Sequence, residues 1–293
     1  MAIKISGSTI IDDGRSLVNV GVSTISGDLH VGTGVTVFST TGIVSATAYH
    51  HSDGTFIGFR QDAQENLYAG TGAGAASDAN TCFNIGIGYS ALTGLQGTGS
   101  PTGNDNIALG SYAGAKVTNG CKNILIGRCA GCCVTSAKTT TAVGHQAARD
   151  FRSGSYNSFF GSYAGMSACA GNRNTAVGNQ ALNMVGCAGN SNDNTAVGNA
   201  AGRCITSACF NTFLGAYSGS GQNVTGNSNT AVGKDAGKNI SSGSDNIAIG
   251  QAAMSAGTVT GNNNISFGSI ASVSYTHLRA HETVLDLVCR LLL

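Results

Sequence analysis

The chain has 293 residues, 44 of them glycine, only 10% charged and 41% hydrophobic, with a net charge of +1. Glycine at about twice its usual share would suggest a flexible linker, but the hydrophobic content is too high for one. The charge balance excludes broad attraction to nucleic acid or an anionic membrane, and no apolar run is long enough to span a bilayer.

Residues 1–65 read as a small β-rich unit. Short β-prone runs at 3–6, 9–11, 17–22, 29–31, 35–38 and 43–49 are separated by turn signals such as Asp13-Gly14 and Gly27-Asp28. Strands this short make a poor core alone. The segment is therefore expected to dock onto, or form a fibre with, partner chains. Residues 1–14 lack the basic start and apolar centre of a secretory signal, which gives no support for export by that route. His50, His51 and Asp53 form a short polar cluster, read as loop residues in preference to an ion site.

From residue 66 to 272 one motif dominates. It is clearest across 174–202 as N-T-A-V-G-N-Q-A-L and then N-T-A-V-G-N-A-A-G. Its glycine recurs at Gly70, Gly88, Gly110, Gly127, Gly144, Gly161, Gly178, Gly198, Gly215, Gly233, Gly250 and Gly268, at intervals of 17 to 22 residues. Such self-similarity marks a repeat architecture. The three residues before each glycine have period-two, β-branched character, so each copy predicts a short strand. The large apolar residue just before the glycine (Ile87, Leu109, Val143, Val177) is expected to face the core. The alanine before it (Ala108, Ala176, Ala231) is expected on the opposite face, against a second chain.

Other columns have their own chemistry. Asn lies four residues before the glycine in every copy except Thr140, which predicts a ladder of amides bonded from copy to copy. The glycine suits a positive φ or a close backbone approach. Ala113, Ala147 and Ala181 fit a corner with no room for a larger side chain. The fold class that follows is all-β: a β-solenoid, or β-roll, of about twelve repeats of 17–18 residues. Departures from that period, chiefly 92–105 with the chain's one proline (Pro101) and 183–193, should leave the stack as loops serving no rung. Ser191 falls in the second and is expected to be exposed.

Catalytic and metal motifs find no support. Cys129 and Cys132 have C-x-x-C spacing, but no second pair accompanies them. The column holding Cys82, Cys121 and Cys209 elsewhere carries Asn, Ser or Lys, so these thiols are read as small space-filling groups in preference to disulfides or metal ligands. Gly70, Gly72 and Gly74 belong to a repeat and not to a nucleotide loop, and Gly233-Lys234 lacks the Ser or Thr of a phosphate loop. No catalytic, cofactor-binding or metal-binding residue is assigned, and no cofactor is expected. The chain reads as a non-enzyme.

The motif N-T-A-V-G-x-x-A-G/L resembles the head repeats of trimeric autotransporter adhesins and, more closely, the repeats of bacteriophage tail-fibre proteins. The opening M-A-I-K-I-S-G-S-T-I-I-D-D-G-R-S-L-V-N-V-G is similar to the start of structural proteins of marine tailed phages. The resemblance implies a homotrimer in the virion that joins other tail or baseplate proteins. Its loops would be presented to a host receptor or glycan, without nucleic acid binding or membrane insertion. A bacterial surface adhesin is the alternative, and an ice-binding solenoid or the stalk of a fibre-borne depolymerase are further ones. An ice face would want an unbroken threonine array, and Ile107, Ile124 and Ile247 interrupt the column of Thr141, Thr175 and Thr195. Residues 273–293 resemble a translated sequencing adapter, sample index and primer in order, which implies a segment foreign to the protein.

Overall fold

A computed structural model describes residues 3–5, 8–11, 60–96, 102–184, 191–221 and 223–271. The chain divides into two compact units, Met1–Tyr49 and His50–Leu293. In the first, β1 (Ile3–Ile5) and β2 (Ser8–Ile11) form an antiparallel hairpin. The other β-prone runs of the N-terminal segment, His50, His51, Asp53, Pro101 and the tail 273–293 lie outside the described residues.

The second unit is a β-solenoid. β3 (Arg60–Gln61) pairs antiparallel with β4 (Leu67–Ala69), and from β4 to β15 (Ile265–Phe267) twelve three-residue strands stack in parallel and in sequence order. The register keeps repeat columns aligned: Thr175 lies beside Thr195, Ala176 beside Ala196, and Val177 beside Val197. At about 4.8 Å per rung the stack is roughly 55 Å tall. The described residues include no helix.

The asparagine ladder forms as the spacing predicts. Asn84 donates its backbone N–H and its Nδ2 to Asn66 Oδ1, at 2.8 and 2.9 Å. Asn106 does the same to Asn84, and Asn123 to Asn106. The second Nδ2 hydrogen goes to a corner carbonyl one rung on, as from Asn106 to Gly120 O and from Asn123 to Ala137 O, at 2.9 and 2.8 Å. A single buried amide thus joins three successive rungs. Thr140 interrupts the series: its N–H still donates to Asn123 Oδ1, but it has no amide to pass on. Asn157 Nδ2 instead reaches Ser155 O and Gly171 O.

The strand glycines meet both expectations at once. Gly88 and Gly198 have φ of 131° and 134°, and a Cβ on either would lie 2.6 Å from the carbonyl carbon of Gly110 or Gly215 in the next rung. Ala113, Ala147 and Ala181 are fully buried at the corner.

The faces of the strand are the reverse of the sequence expectation. The middle residue is the buried one: Ala108, Leu125, Ala142, Phe159, Ala176 and Phe213 are all at 0% exposure. The large residue before the glycine points outward, with Val177 at 39%, Phe160 at 41% and Leu214 at 46%. The alanine face therefore does not await a second chain; it lines the interior. The reason is the width of the coil. The residue nine positions after the strand's middle comes from the opposite wall into the same core, and the two sizes compensate: Gly86 with Leu95, Ala142 with Phe151, Phe159 with Ala168, Ala196 with Ile205. Tyr68 is matched by Ser77, to whose Oγ it donates at 3.1 Å.

Both insertions also contribute to rungs. Leu92 and Leu95 are fully buried, and Gly103 O accepts the Asn84 amide at 2.8 Å. Ser191 is buried and not exposed; its carbonyl accepts from Asn174 Nδ2 at 2.8 Å. Its Oγ is the one buried side-chain polar atom without a partner among the described residues.

Two outcomes are expected. Ala176→Asp puts an unpaired carboxylate in the core, at a cost of several kcal/mol, and should abolish the β signal in circular dichroism; Val177→Asp should keep it. Equal loss in both would return the outer column to the core. Thr140→Asn should restore the missing ladder member and stabilise the fold by about 1–3 kcal/mol, read as a higher Tm; an unchanged or lower Tm would mean that the ladder does not bear on stability at this rung.

Candidate functional site

The outer surface of the solenoid is a set of columns, each built by repeat register. The strand face shows two apolar or threonine columns, with Ile124, Phe160, Val177, Leu214 and Phe267 among the exposed large side chains. Aromatic residues border it. Phe83, Tyr156 and Phe210, just before the ladder position, are 56%, 64% and 62% exposed and have φ of 59–62°. The positive φ is a property of the repeat, since Glu65, Asp105, Lys122 and Arg173 in the same column have it too, so the aromatics here are side chains displayed on a fixed turn. On the other border Tyr89 and Tyr112 meet edge to face at 5.2 Å.

The corner after each strand glycine is more polar. Arg128 Nη1 lies 3.4 Å from His145 Nε2, and His145 packs edge to face on Tyr163 at 5.2 Å. Backbone bonds between rungs fix this column: Gln146 N donates to Arg128 O, and Tyr163 N to His145 O, both at 2.9 Å. Beside it lies an open depression of about 280 Å³ lined by Tyr163, Met166, Gln180, Asn183, Met184 and Arg203. Asn183 Nδ2 donates to Tyr163 O at 3.2 Å. Met184 N donates to Arg203 O at 3.0 Å, so the cationic wall is fixed to the next rung.

None of these lining residues stands out in the sequence, because each occupies a column whose identity changes from copy to copy. Laying the variable positions out in repeat register would have shown Tyr163 and Gln180 stacked two residues after the glycine. It would also have stacked Met166, Asn183 and Arg203 five after it. The depression takes in the first two residues of the 183–193 insertion, Asn183 and Met184.

The cysteine readings are mixed. Cys121 is buried and Cys82 and Cys209 are half-buried, all as free thiols. Their column does more than fill space. Asn192 N donates to Cys209 Sγ at 3.3 Å, Cys209 N to Asn227 Oδ1 at 2.8 Å, and Asn227 N to Ser244 Oγ at 3.0 Å. At Cys209, Asn227 and Ser244 the side chain accepts the N–H of the previous rung, which makes a second ladder running against the first. Cys129, Cys132 and Cys133 are half-buried, with the last two sulfurs 4.0 Å apart. No group of three or more His, Cys, Asp or Glu able to hold a metal is found among the described residues. Burial, then the neighbouring Cys133, pushes the Cys132 thiol up to about 12. Gly233 is a strand glycine with φ of 128°, and Lys234 lies 4.0 Å from Asp235.

Where charges do pair, the pairs lie on the surface. Arg173 makes a two-pronged contact with Asp193 at 2.6 and 2.8 Å, which holds the Asp193 carboxyl below its ordinary range through hydrogen bonding to the guanidinium. Arg149 binds Asp150 and donates to Gln146 Oε1 at 3.1 Å. Among the described residues no helix is long and apolar enough to cross a membrane. Comparison with protein-family models, curated proteins and solved structures finds no match.

The raised Cys132 pKa makes the thiol a weak nucleophile. At pH 8 it should be alkylated by iodoacetamide well over tenfold more slowly than a free thiol with a pKa near 8.5, as followed by mass spectrometry of its peptide. Labelling at the rate of a free cysteine would refute the buried environment described for it.

Proposed function

We propose that this chain is a non-catalytic fibre protein of a phage virion, a rigid shaft that carries attachment loops to a host surface. The observation that carries the reading is the outward strand face. It exposes Ile124, Phe160, Val177, Leu214 and Phe267 beside a column of threonines, in register over twelve rungs, and large apolar side chains gathered on one exposed face mark a contact surface. A second copy of the same chain presents the same rung spacing, so every rung finds an equivalent partner. Three copies about a common axis would bury Val177, Leu214 and their column together and leave the corner after each glycine outside. The resemblance of the repeat motif to fibre and adhesin heads favours three over two.

Rigidity in such a shaft comes from nearest-neighbour coupling between rungs, and recognition sits on what the rungs leave exposed. Other tail or baseplate proteins are the expected partners of the N-terminal segment. The virion is the expected location, and a cellular envelope is the competing one.

Light scattering on the full chain should return about three times the chain mass. Val177→Asp should return a folded monomer, because a carboxylate on the shared face must be desolvated without a partner. A folded wild-type monomer would remove the trimer. Immunogold labelling with antibodies against residues 102–184 should decorate the tails of phage particles; labelling confined to bacterial envelopes would make the chain a cellular adhesin.

A further inference from the structure

We propose that the corner after the strand glycines, from the rung of Gly110 to that of Gly198, is a binding groove for an anionic polysaccharide lying along the solenoid. The inference rests on the host-attachment reading and names the chemistry of its receptor.

Charge is the first observation. The chain's net charge is +1, yet between residues 106 and 203 it holds eight Lys and Arg against two acids, Asp150 and Asp193. Asp150 is already taken by Arg149 at 2.6 Å, and Arg173 is taken by Asp193. Lys116, Arg128, Arg152 and Arg203 are exposed and make no ion pair among the described residues. Lys116, Arg128 and Arg203 lie one to six residues after a strand glycine, on the corner and not on the strand face, while Arg152 follows Phe151 on the opposite wall. Like charges gathered on one side oppose folding, so the stack does not need them.

The second observation is the depression itself. Tyr163 offers a ring face to the C–H side of a sugar, and Gln180 and Asn183 offer amides that both donate and accept, as hydroxyl groups require. Arg203 forms the far wall, and a guanidinium fork matches a carboxylate in geometry as well as charge. Along the stack the same corner continues to His145 and Arg128, held in register by rung-to-rung backbone bonds. The rung spacing of about 4.8 Å is close to the length of one pyranose in an extended chain. Successive rungs can therefore address successive sugars.

A uronic acid polymer fits this pattern better than a nucleic acid. The cations are spaced rungs apart and alternate with neutral amides and an aromatic ring. A phosphate backbone would call for a denser row of positive charge.

The test uses the full chain with polygalacturonate, neutral dextran and duplex DNA as probes in affinity electrophoresis, at low and at high salt. Polygalacturonate should bind, weaken as salt rises, and outcompete dextran. Tyr163→Ala and Arg203→Gln should each weaken it by about tenfold with the Tm unchanged, while Lys238→Gln, outside the groove, should have no effect. Equal binding of dextran, duplex DNA bound as tightly as polygalacturonate, or indifference to both groove variants would each overturn the proposal. Adsorption to bacterial cells separates the two readings. Cells that take up the groove variants as well as wild type overturn the groove as receptor site and leave attachment standing. Binding of polygalacturonate by a chain that no cells adsorb removes attachment and leaves the groove.

Discussion

A buried asparagine amide that bonds both the rung before and the rung after is the constraint on which the rest of this solenoid depends. Its Oδ1 accepts two N–H groups from the next rung, and its Nδ2 donates both backward and forward, as at Asn84 and Asn229. A buried amide with all four of these bonds made is stabilising, and with any missing it is costly. Asp would lack the donors, and Thr lacks the reach, as Thr140 shows. The ladder fixes the vertical register, and the register aligns every other column.

With the register set, the glycine and the core size follow. The strand glycine closes against the next glycine's carbonyl at a positive φ, so no side chain can take its place without pushing rungs apart. The coil left inside is narrow. Phe151 stands across from Ala142 and Phe159 from Ala168, and where Leu125 is the strand residue the opposite wall holds the smaller Val134. Phe151 and Phe159 meet edge to face at 5.6 Å where the large residue changes walls. Narrowness also explains the outward apolar face: bulky aliphatic side chains on both faces of every strand could not all fit within, so one set is exposed.

That division of labour gives the outside two chemically different sides. The strand face is periodic and carries apolar side chains and threonines. The glycine corner is polar and variable from rung to rung, and carries Arg128 and Arg203. The backbone scaffold is the same at each rung, and only the corner side chains differ. The corner side chains can therefore change without disturbing the ladder.

The sequence by itself determined the period, the strand positions, the amide ladder, the glycine corner and the buried alanines at Ala113, Ala147 and Ala181. Each of these recurs in nearly every copy, with Thr140 and Ser218 as exceptions in the ladder and the corner, and has a single local cause. Only the tertiary structure decided which face of the strand is inside. Three residues with β-branched or apolar side chains on one face and alanine on the other satisfy a period-two pattern in either orientation. Hydrophobicity alone favours the wrong one, putting Val177 within and Ala176 without. The deciding quantity is the distance between the two walls of one coil, which no single repeat contains. The polar depression was hidden for the same reason, since Tyr163, Asn183 and Arg203 come from three different rungs and become neighbours only when those rungs stack.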